Sequence, residues 1–137
     1  MDIKRGEIYM TELPNVGGSI QSGYRPVLII QNNIGNKYSS TTIVVPITTK
    51  KEQKQYLPTH VRANKQPGLK HNSTVLCEQI MTVNQESLGL QIGKLNRKKL
   101  FEVNVALAVS VIPGLVEIAC QLYRVKNRTI VENLKVS

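Results

Sequence analysis

Apolar and polar residues alternate in short blocks along the first hundred residues, and turn signals follow most blocks. Alternation of this kind predicts β-strands. The predicted strands are Glu7–Leu13, Arg25–Asn32, Thr42–Thr49, Leu57–Arg62, Thr74–Met81 and Leu90–Leu95. The second is apolar enough to be buried on both faces, while Pro46 within the third indicates a bulge or a sheet edge.

Helical spacing appears only near the C-terminus. Between Arg97 and Val111, apolar residues recur every three or four positions, and Pro113-Gly114 marks the end of the predicted helix. The segments Asn15–Gly23 and Asn33–Ser40 are rich in glycine or polar residues and predict a flexible loop and a polar turn. Residues 116–137 fit a strand or a helix equally well.

This order of elements, short strands and then one helix, predicts a mainly β fold. We expect a small, partly open barrel or a strongly bent sheet, capped by a C-terminal helix. The 137 residues suffice for one domain with a real core, and no repeat or linker suggests a second.

Targeting and redox signals are few. No stretch is long and apolar enough for a membrane helix, and the first six residues lack the apolar run of a signal peptide. We therefore expect a cytoplasmic protein without a membrane partner. Cys77 and Cys120 lie far apart in sequence, outside any Cys/His cluster, so reduced thiols are expected and a zinc site is not.

The charge of the chain points to a polyanionic partner. Eighteen Lys and Arg against nine Asp and Glu give a net charge of +9 and a pI near 9.8. The excess is concentrated in residues 50–75, which hold six basic residues and one acid. This segment is either a solvated basic loop or a nucleic-acid footprint, since clustered Lys and Arg release counterions from phosphates.

Catalytic candidates are few. His60 and His71 raise the possibility of a two-histidine ribonuclease, but nothing in the sequence links them, and a surface or core role is the simpler interpretation. Arg25 precedes a buried strand and follows a glycine-rich loop. It can clamp a carboxylate or backbone carbonyls, or it can hold a phosphate with its planar guanidinium. Thr48 and Thr49 end the next predicted strand and can supply hydroxyls beside it.

Five separated motifs resemble the MazF/PemK family of toxin endoribonucleases, in the family's order and spacing. They are "KRGEIYMTEL", "GSIQSGYRPVLIIQNNIGNKYS", "TIVVPITT", "LPTHV" and "STVLCEQIMTV". The resemblance covers residues 3–112, so we expect a toxin domain at 1–115 and an extension at 116–137. It implies an SH3-like barrel, shared with the CcdB gyrase poison, and a homodimer. It further implies metal- and cofactor-free cleavage of single-stranded RNA and silencing by a cognate acidic antitoxin.

The resemblance also assigns site residues. The family's catalytic arginine falls on Arg25 and its catalytic threonine on Thr48. The loop with Gly18-Ser19 would cover the RNA, and Glu78-Gln79 would lie near the groove. Together with the basic segment this predicts six RNA-binding residues: Ser19, Asn32, Thr49, Lys50, Lys51 and Gln79. Asn32 and Gln79 among them are expected to read bases.

Two departures concern RNA contact. Ile20 stands where the family commonly has Glu, and Met81 stands where it commonly has Arg. The expected reaction is transesterification: the ribose 2′-OH attacks its own phosphate, leaving a 2′,3′-cyclic phosphate and a 5′-OH. The alternative is a protein of the same fold that does not cut, either a CcdB-like gyrase inhibitor or an RNA-binding module.

Overall fold

The computed structural model describes residues 2–49, 57–69, 71–115 and 117 of the chain. Within these residues it contains seven β-strands and two α-helices. These are β1 Glu7–Leu13, β2 Gly23–Ile29, α1 Asn33–Tyr38, β3 Thr41–Thr48, β4 His60–Arg62, β5 Thr74–Leu76, β6 Met81–Asn84, β7 Gln91–Lys94 and α2 Arg97–Val111. A single 3₁₀ turn, Gln85–Ser87, follows β6. The bounds of β1 and α2 match the predicted ones.

The strands form one antiparallel sheet in the order β4-β5-β3-β2-β1-β7, and β6 also pairs with β3. β4 and β7 are not paired with each other in the described part of the chain, so the sheet is partly open. The predicted class, mainly β with a C-terminal helix, is confirmed. Within the described residues, no helix combines the length and apolarity needed to cross a bilayer.

Each face of the sheet has its own apolar cluster. One cluster joins residues such as Leu28 and Val45 to Val103 and Ala106 of α2. The other includes Tyr9, Val27, Ile29 and Leu88 and lies on the opposite face. The prediction that the second strand is buried on both faces is correct only for Val27–Ile29, because the part of β2 before Val27 is half-buried or exposed.

Pro46 lies where β3 changes its partner strand. Ile43 accepts a hydrogen bond from Ile30 of the neighbouring chain segment, so alternate residues of β3 turn their backbone groups away from β2. Pro46, which has no N–H to donate, therefore lies between the residues of β3 that pair with β6 and the residues that pair with β5. The predicted strand Thr74–Met81 was wrong as one element, because the chain turns here and divides it into β5 and β6.

The predicted polar turn Asn33–Ser40 contains a short helix instead. The side chain of Asn32 caps α1 by accepting a hydrogen bond from Gly35 N at 2.8 Å. Gln85 fixes the other end: its Nε2 donates to the carbonyl oxygens of Asn36, Ser39 and Thr41 at 2.8–3.0 Å. The helix was not predicted because its anchor lies 49 residues further along the chain.

The buried face of α2 is partly the predicted one. The helical spacing gave an expected stripe of Leu100, Val103, Leu107 and Val111. Val103 is buried and Leu107 packs against the core cluster, but Val111 is 63% exposed. The helix also buries Ala106 and Val109, which the predicted stripe did not include.

Two facing glycines attach the segment after β4 to β7. A Cβ on Gly68 would lie 1.9 Å from the carbonyl oxygen of Ile92, and a Cβ on Gly93 would lie 2.0 Å from that of Pro67. Only two glycines allow the backbones to cross this closely. Gln66 adds a hydrogen bond from the backbone N of Asn96, at 3.2 Å.

Several predicted features lie outside the described residues. They are the segment 116–137, apart from Glu117, and the residues Lys50, Lys51, Lys54, Lys70 and Cys120. The other cysteine, Cys77, is buried as a free thiol, and burial raises its pKa to about 12.

Candidate active site

Arg25 lies in the first half of β2, where the strand leaves its glycine-rich loop. Its Nε donates to the carbonyl oxygen of Ser22 at 2.7 Å, and its Nη1 donates to Oε1 of Gln21. The remaining guanidinium N–H groups have no partner among the described residues. Because the side chain is only half-buried, these groups can donate to an anion that approaches from solvent.

Thr48 lies opposite Arg25 on the neighbouring strand. The register pairs Val27 with Pro46, and continuing it by two residues sets Arg25 against Thr48. Pro26 explains why the hydrogen-bonded ladder ends before this pair: it has no N–H to donate to β3. Cross-strand partners share a face of the sheet, so both side chains belong to one surface. Thr48 is buried, with 4% of its surface exposed.

A second threonine flanks Arg25 on its other side. Thr11 of β1 pairs directly with Arg25, and its Oγ1 donates to the carbonyl oxygen of Ser87 at 2.9 Å. Thr11 and Gln21, the partner of the guanidinium, were not predicted as site residues. Gln21, four residues before Arg25, gave no signal in the sequence, and the position of Thr11 depends on strand register.

Gln79 holds the glycine-rich loop beside Arg25. Its Oε1 accepts a hydrogen bond from Gln21 N at 2.9 Å, and its Nε2 donates to the carbonyl oxygen of Ser19 at 3.1 Å. The carboxamide therefore binds the backbone on both sides of Ile20, whose side chain is 50% exposed. Gln79 thus fixes the loop that carries Gln21, and through it the guanidinium of Arg25.

His60 is joined to Glu78 and not to His71. Its Nε2 lies 2.8 Å from Glu78 Oε1, while His71 is exposed. Burial alone would raise the pKa of the Glu78 carboxyl, but hydrogen bonds from His60 and Thr59 hold it below its usual value. The carboxylate is therefore ionised at neutral pH, and no described contact joins the two histidines.

The structure brings together some of the predicted residues. Ser19 and Gln79 contact each other beside Arg25, and Thr49 is exposed directly after Thr48 at the end of β3. Asn32 lies beyond the opposite end of β2, where it caps α1. Lys50 and Lys51 lie outside the described residues. Met81, one of the two departures, is half-buried against the cluster that contains Val27. In the described part of the chain, no three His, Cys, Asp or Glu residues converge to hold a metal ion.

The chain is similar to known proteins in both sequence and fold. The chain is 44% identical over 111 residues to Endoribonuclease EndoA of Bacillus subtilis (strain 168), covering 80% of this chain and 95% of the relative. It is also 44% identical over 109 residues to Endoribonuclease MazF of Staphylococcus saprophyticus, covering 79% and 90%.

Among solved structures, an endoribonuclease in complex with its cognate antitoxin from a mycobacterial species superimposes with a TM-score of 0.67. The identity is 26%, and the match covers 81% of this chain and 97% of that chain. Residues 4–111 match the family described as PemK-like, MazF-like toxin of type II toxin–antitoxin system. The expected family and the expected enzyme class of its members are confirmed. The chain therefore belongs to the PemK-like, MazF-like toxins, the family of these endoribonucleases.

Proposed function

We propose that this protein cuts single-stranded RNA by transesterification, with Arg25 and Thr48 at the reacting phosphate. The observation that carries the proposal is the guanidinium of Arg25. Ser22 and Gln21 fix it, and its remaining N–H groups have no partner among the described residues. The continued register of β2 and β3 sets it opposite Thr48. A half-buried arginine on a rigid strand, with donors that no described residue uses, suits the singly charged phosphodiester of RNA, whose negative charge grows in the transition state.

In the proposed reaction the ribose 2′-OH attacks the adjacent phosphorus in line with the 5′-oxygen. The bond to the 5′-oxygen breaks, which leaves a 2′,3′-cyclic phosphate and a 5′-OH. Because the substrate supplies the nucleophile, the chemistry requires no metal-bound water. Arg25 would stabilise the charge that develops on the phosphoryl oxygens, an effect worth on the order of 3–4 kcal/mol for one well-placed donor. Thr48 would orient the phosphate by a hydrogen bond.

The proposed RNA-binding residues around this centre are Ser19, Thr49, Lys50, Lys51 and Gln79. Ser19 would act from the loop that adjoins Arg25, Gln79 would act from the connection between β5 and β6, and the two lysines would follow the RNA backbone. Asn32 is not part of the proposed site, because its Oδ1 already caps α1 at the far end of β2. Ile20, exposed between Ser19 and Gln21, offers the RNA an apolar contact.

We also propose a homodimer whose activity is blocked by an acidic antitoxin. A related endoribonuclease was solved in complex with its cognate antitoxin, and the net charge of +9 favours an acidic partner. Exposed apolar residues on the described surface, such as Phe101 and Leu90, are compatible with a subunit interface. Sedimentation at micromolar concentration tests the dimer directly, and a monomer there would contradict it.

The test of the cleavage proposal is incubation of the purified protein with a long single-stranded RNA in EDTA. We expect cuts at a short recurring sequence, with 2′,3′-cyclic phosphate and 5′-OH ends. The variant Arg25→Ala should lose cleavage while its melting temperature stays close to that of the wild type. Arg97→Ala, which removes an exposed arginine from the start of α2, is the matched control and should cut normally.

The alternative function has a different outcome in the same experiment. A CcdB-like gyrase inhibitor or an RNA-binding module would leave the RNA intact, and Arg25→Ala would then change nothing in the assay. Cleavage that disappears in EDTA and returns with a divalent ion would also contradict the proposed mechanism.

A further inference from the structure

The strand register places a second arginine in line with the proposed catalytic pair. Arg62 of β4 pairs with Thr74 of β5, and Thr74 pairs with Thr48 of β3. Arg25 of β2 follows when the β2–β3 register is continued past Pro26. We call Arg25, Thr48, Thr74 and Arg62 the arginine row. It crosses four adjacent strands nearly at right angles to their direction.

The whole arginine row belongs to one face of the sheet. Val61, Val75 and Ile47 are the sequence neighbours of three row members, and all are buried in the cluster beneath α2. Because side chains alternate between faces along a strand, Arg62, Thr74 and Thr48 point to the opposite face. Arg25 is on this same face, since Val27, two residues along its strand, packs in the other cluster.

The side-chain polar groups of Arg62 and Thr74, the outer half of the row, make no hydrogen bond or ion pair with the described residues. Arg62 is exposed, and no described residue forms an ion pair or hydrogen bond with its guanidinium. Glu78, which follows β5 in the chain, is hydrogen-bonded to His60. The hydroxyl of the half-buried Thr74 also has no hydrogen-bond partner among the described residues. A cationic fork and a hydroxyl therefore stand open to solvent beside the proposed site.

The spacing of the two arginines suits two different phosphates. Neighbouring strands are ~4.8 Å apart, so three strand steps separate the backbones of Arg25 and Arg62 by roughly 14 Å. A separation of this size matches two phosphates of a single strand with intervening nucleotides between them.

We propose that Arg62 and Thr74 form a second phosphate subsite, and that the RNA crosses the strands from Arg25 toward β4. This inference rests on the proposed function for the identity of the ligand. Arg62 would bind a phosphate by charge-assisted hydrogen bonds, and Thr74 would line the path between the two subsites. Because the subsite contacts phosphate and not a base edge, it adds affinity without sequence preference.

The test measures equilibrium binding of a 20-nucleotide single-stranded RNA that carries a 2′-deoxyribose at the mapped cut. Arg62→Gln should weaken binding about five- to tenfold and make the slope of log K against log salt shallower by about 0.7, the value for one single-strand phosphate contact. The matched control is Arg97→Gln at the start of α2, on the helix that packs against the opposite face. It should change affinity by less than about twofold and leave the slope unchanged.

Shortening the RNA one nucleotide at a time, from each end, locates the subsite. Wild-type affinity should fall at one particular phosphate on one side of the cut, and Arg62→Gln should be insensitive to that same removal. Equal effects of Arg62→Gln and Arg97→Gln would overturn the proposal, because they would show that Arg62 affects binding only through the net charge of the protein. The proposal would also be overturned if Arg62→Gln lost the same factor in affinity for RNAs of every length. If the protein does not cut, the salt measurement is made on an unmodified 20-nucleotide single-stranded RNA, so a protein that binds without cutting would fail the proposed function and still pass this test.

Discussion

The two ends of β2 both carry polar side chains, but these side chains behave differently. At the far end, Gln85 donates one amide group to three carbonyl oxygens, and Asn36, 3% exposed, is hydrogen-bonded to Gln31 and Thr42. At the near end, Arg25 is held by two contacts and keeps further donors for solvent. Both ends have a glutamine that holds a connecting segment in place.

This difference separates polar residues that maintain the fold from those available for chemistry. In the far-end network the buried donors and acceptors satisfy one another, so removing one leaves others unsatisfied at a cost in stability. Two hydrogen bonds fix the direction of the guanidinium at the near end, and its other N–H groups have no partner among the described residues. A ligand can therefore supply the missing acceptors without any hydrogen bond of the protein being broken.

The largest expected effect is on cleavage, from Arg25→Lys. Lysine keeps the charge but lacks the planar fork that meets Ser22, Gln21 and a phosphate at once, so we expect at least about a hundredfold loss of cleavage rate. Single-turnover cleavage measures the rate, and urea unfolding should give a free energy close to that of the wild type. Cleavage within a few-fold of the wild-type rate would show that charge alone is sufficient at this position.

The opposite pattern is expected from Gln85→Ala. Three buried or partly buried carbonyl oxygens lose their donor, so the free energy of unfolding should fall by about 2–4 kcal/mol. Cleavage by the remaining folded protein should be unchanged below the melting transition. Gln91→Ala, which removes a glutamine from the exposed surface of β7, is the control and should cost less than about 1 kcal/mol. A similar loss of unfolding free energy in both variants would show that the far-end network stabilises the protein no more than an exposed glutamine does.

Gln79→Ala is expected to reduce cleavage without destabilising the protein. The loop around Ile20 loses both hydrogen bonds, Gln21 is no longer fixed, and the guanidinium of Arg25 is less often correctly aimed. We expect about a tenfold slower rate on every RNA sequence, with an equal effect of Gln21→Ala. If Gln79 instead reads a base, the variant will change which sequence is cut while Gln21→Ala will not, and end mapping distinguishes the two results.

Asn32→Ala should have the smallest effect. It removes the cap of α1 and should lower the free energy of unfolding by about 1 kcal/mol. Neither the cleavage rate nor the cleaved sequence should change, since the residue lies at the far end of β2. A changed preference for the cleaved sequence would show that Asn32 contacts the RNA, as the sequence predicted.

The positions of individual strands were the feature of this molecule that the sequence predicted best. Alternation located β1 and β3, and the resemblance to MazF toxins selected Arg25 and Thr48 from among ordinary strand residues. Contacts that depend on register were not accessible in this way. Thr11 and Thr74 gain their importance only from the residues opposite them, and alternation within one strand says nothing about its partner.

Short or bent elements were missed for related reasons. α1 has six residues, too few to display a helical period, and it depends on Gln85 from a distant part of the chain. β5 and β6 were predicted as one strand because both are extended and apolar. The bend between them lies beside Pro46 of β3, and a residue on a different strand cannot be read from the sequence of 74–81.

The facing glycines at 68 and 93 bear on how this toxin can diversify. Their crossing re-anchors the chain to β7 soon after β4, only six residues beyond Arg62. Insertions, deletions and charge changes between β3 and β4 therefore need not displace the arginine row, since the downstream anchor is independent of that connection. Evolution can vary the connection between β3 and β4 to suit new RNAs or antitoxins, whereas neither glycine can be exchanged alone. We expect sequences related to this one to vary in length between β3 and β4 and to keep the two glycines together.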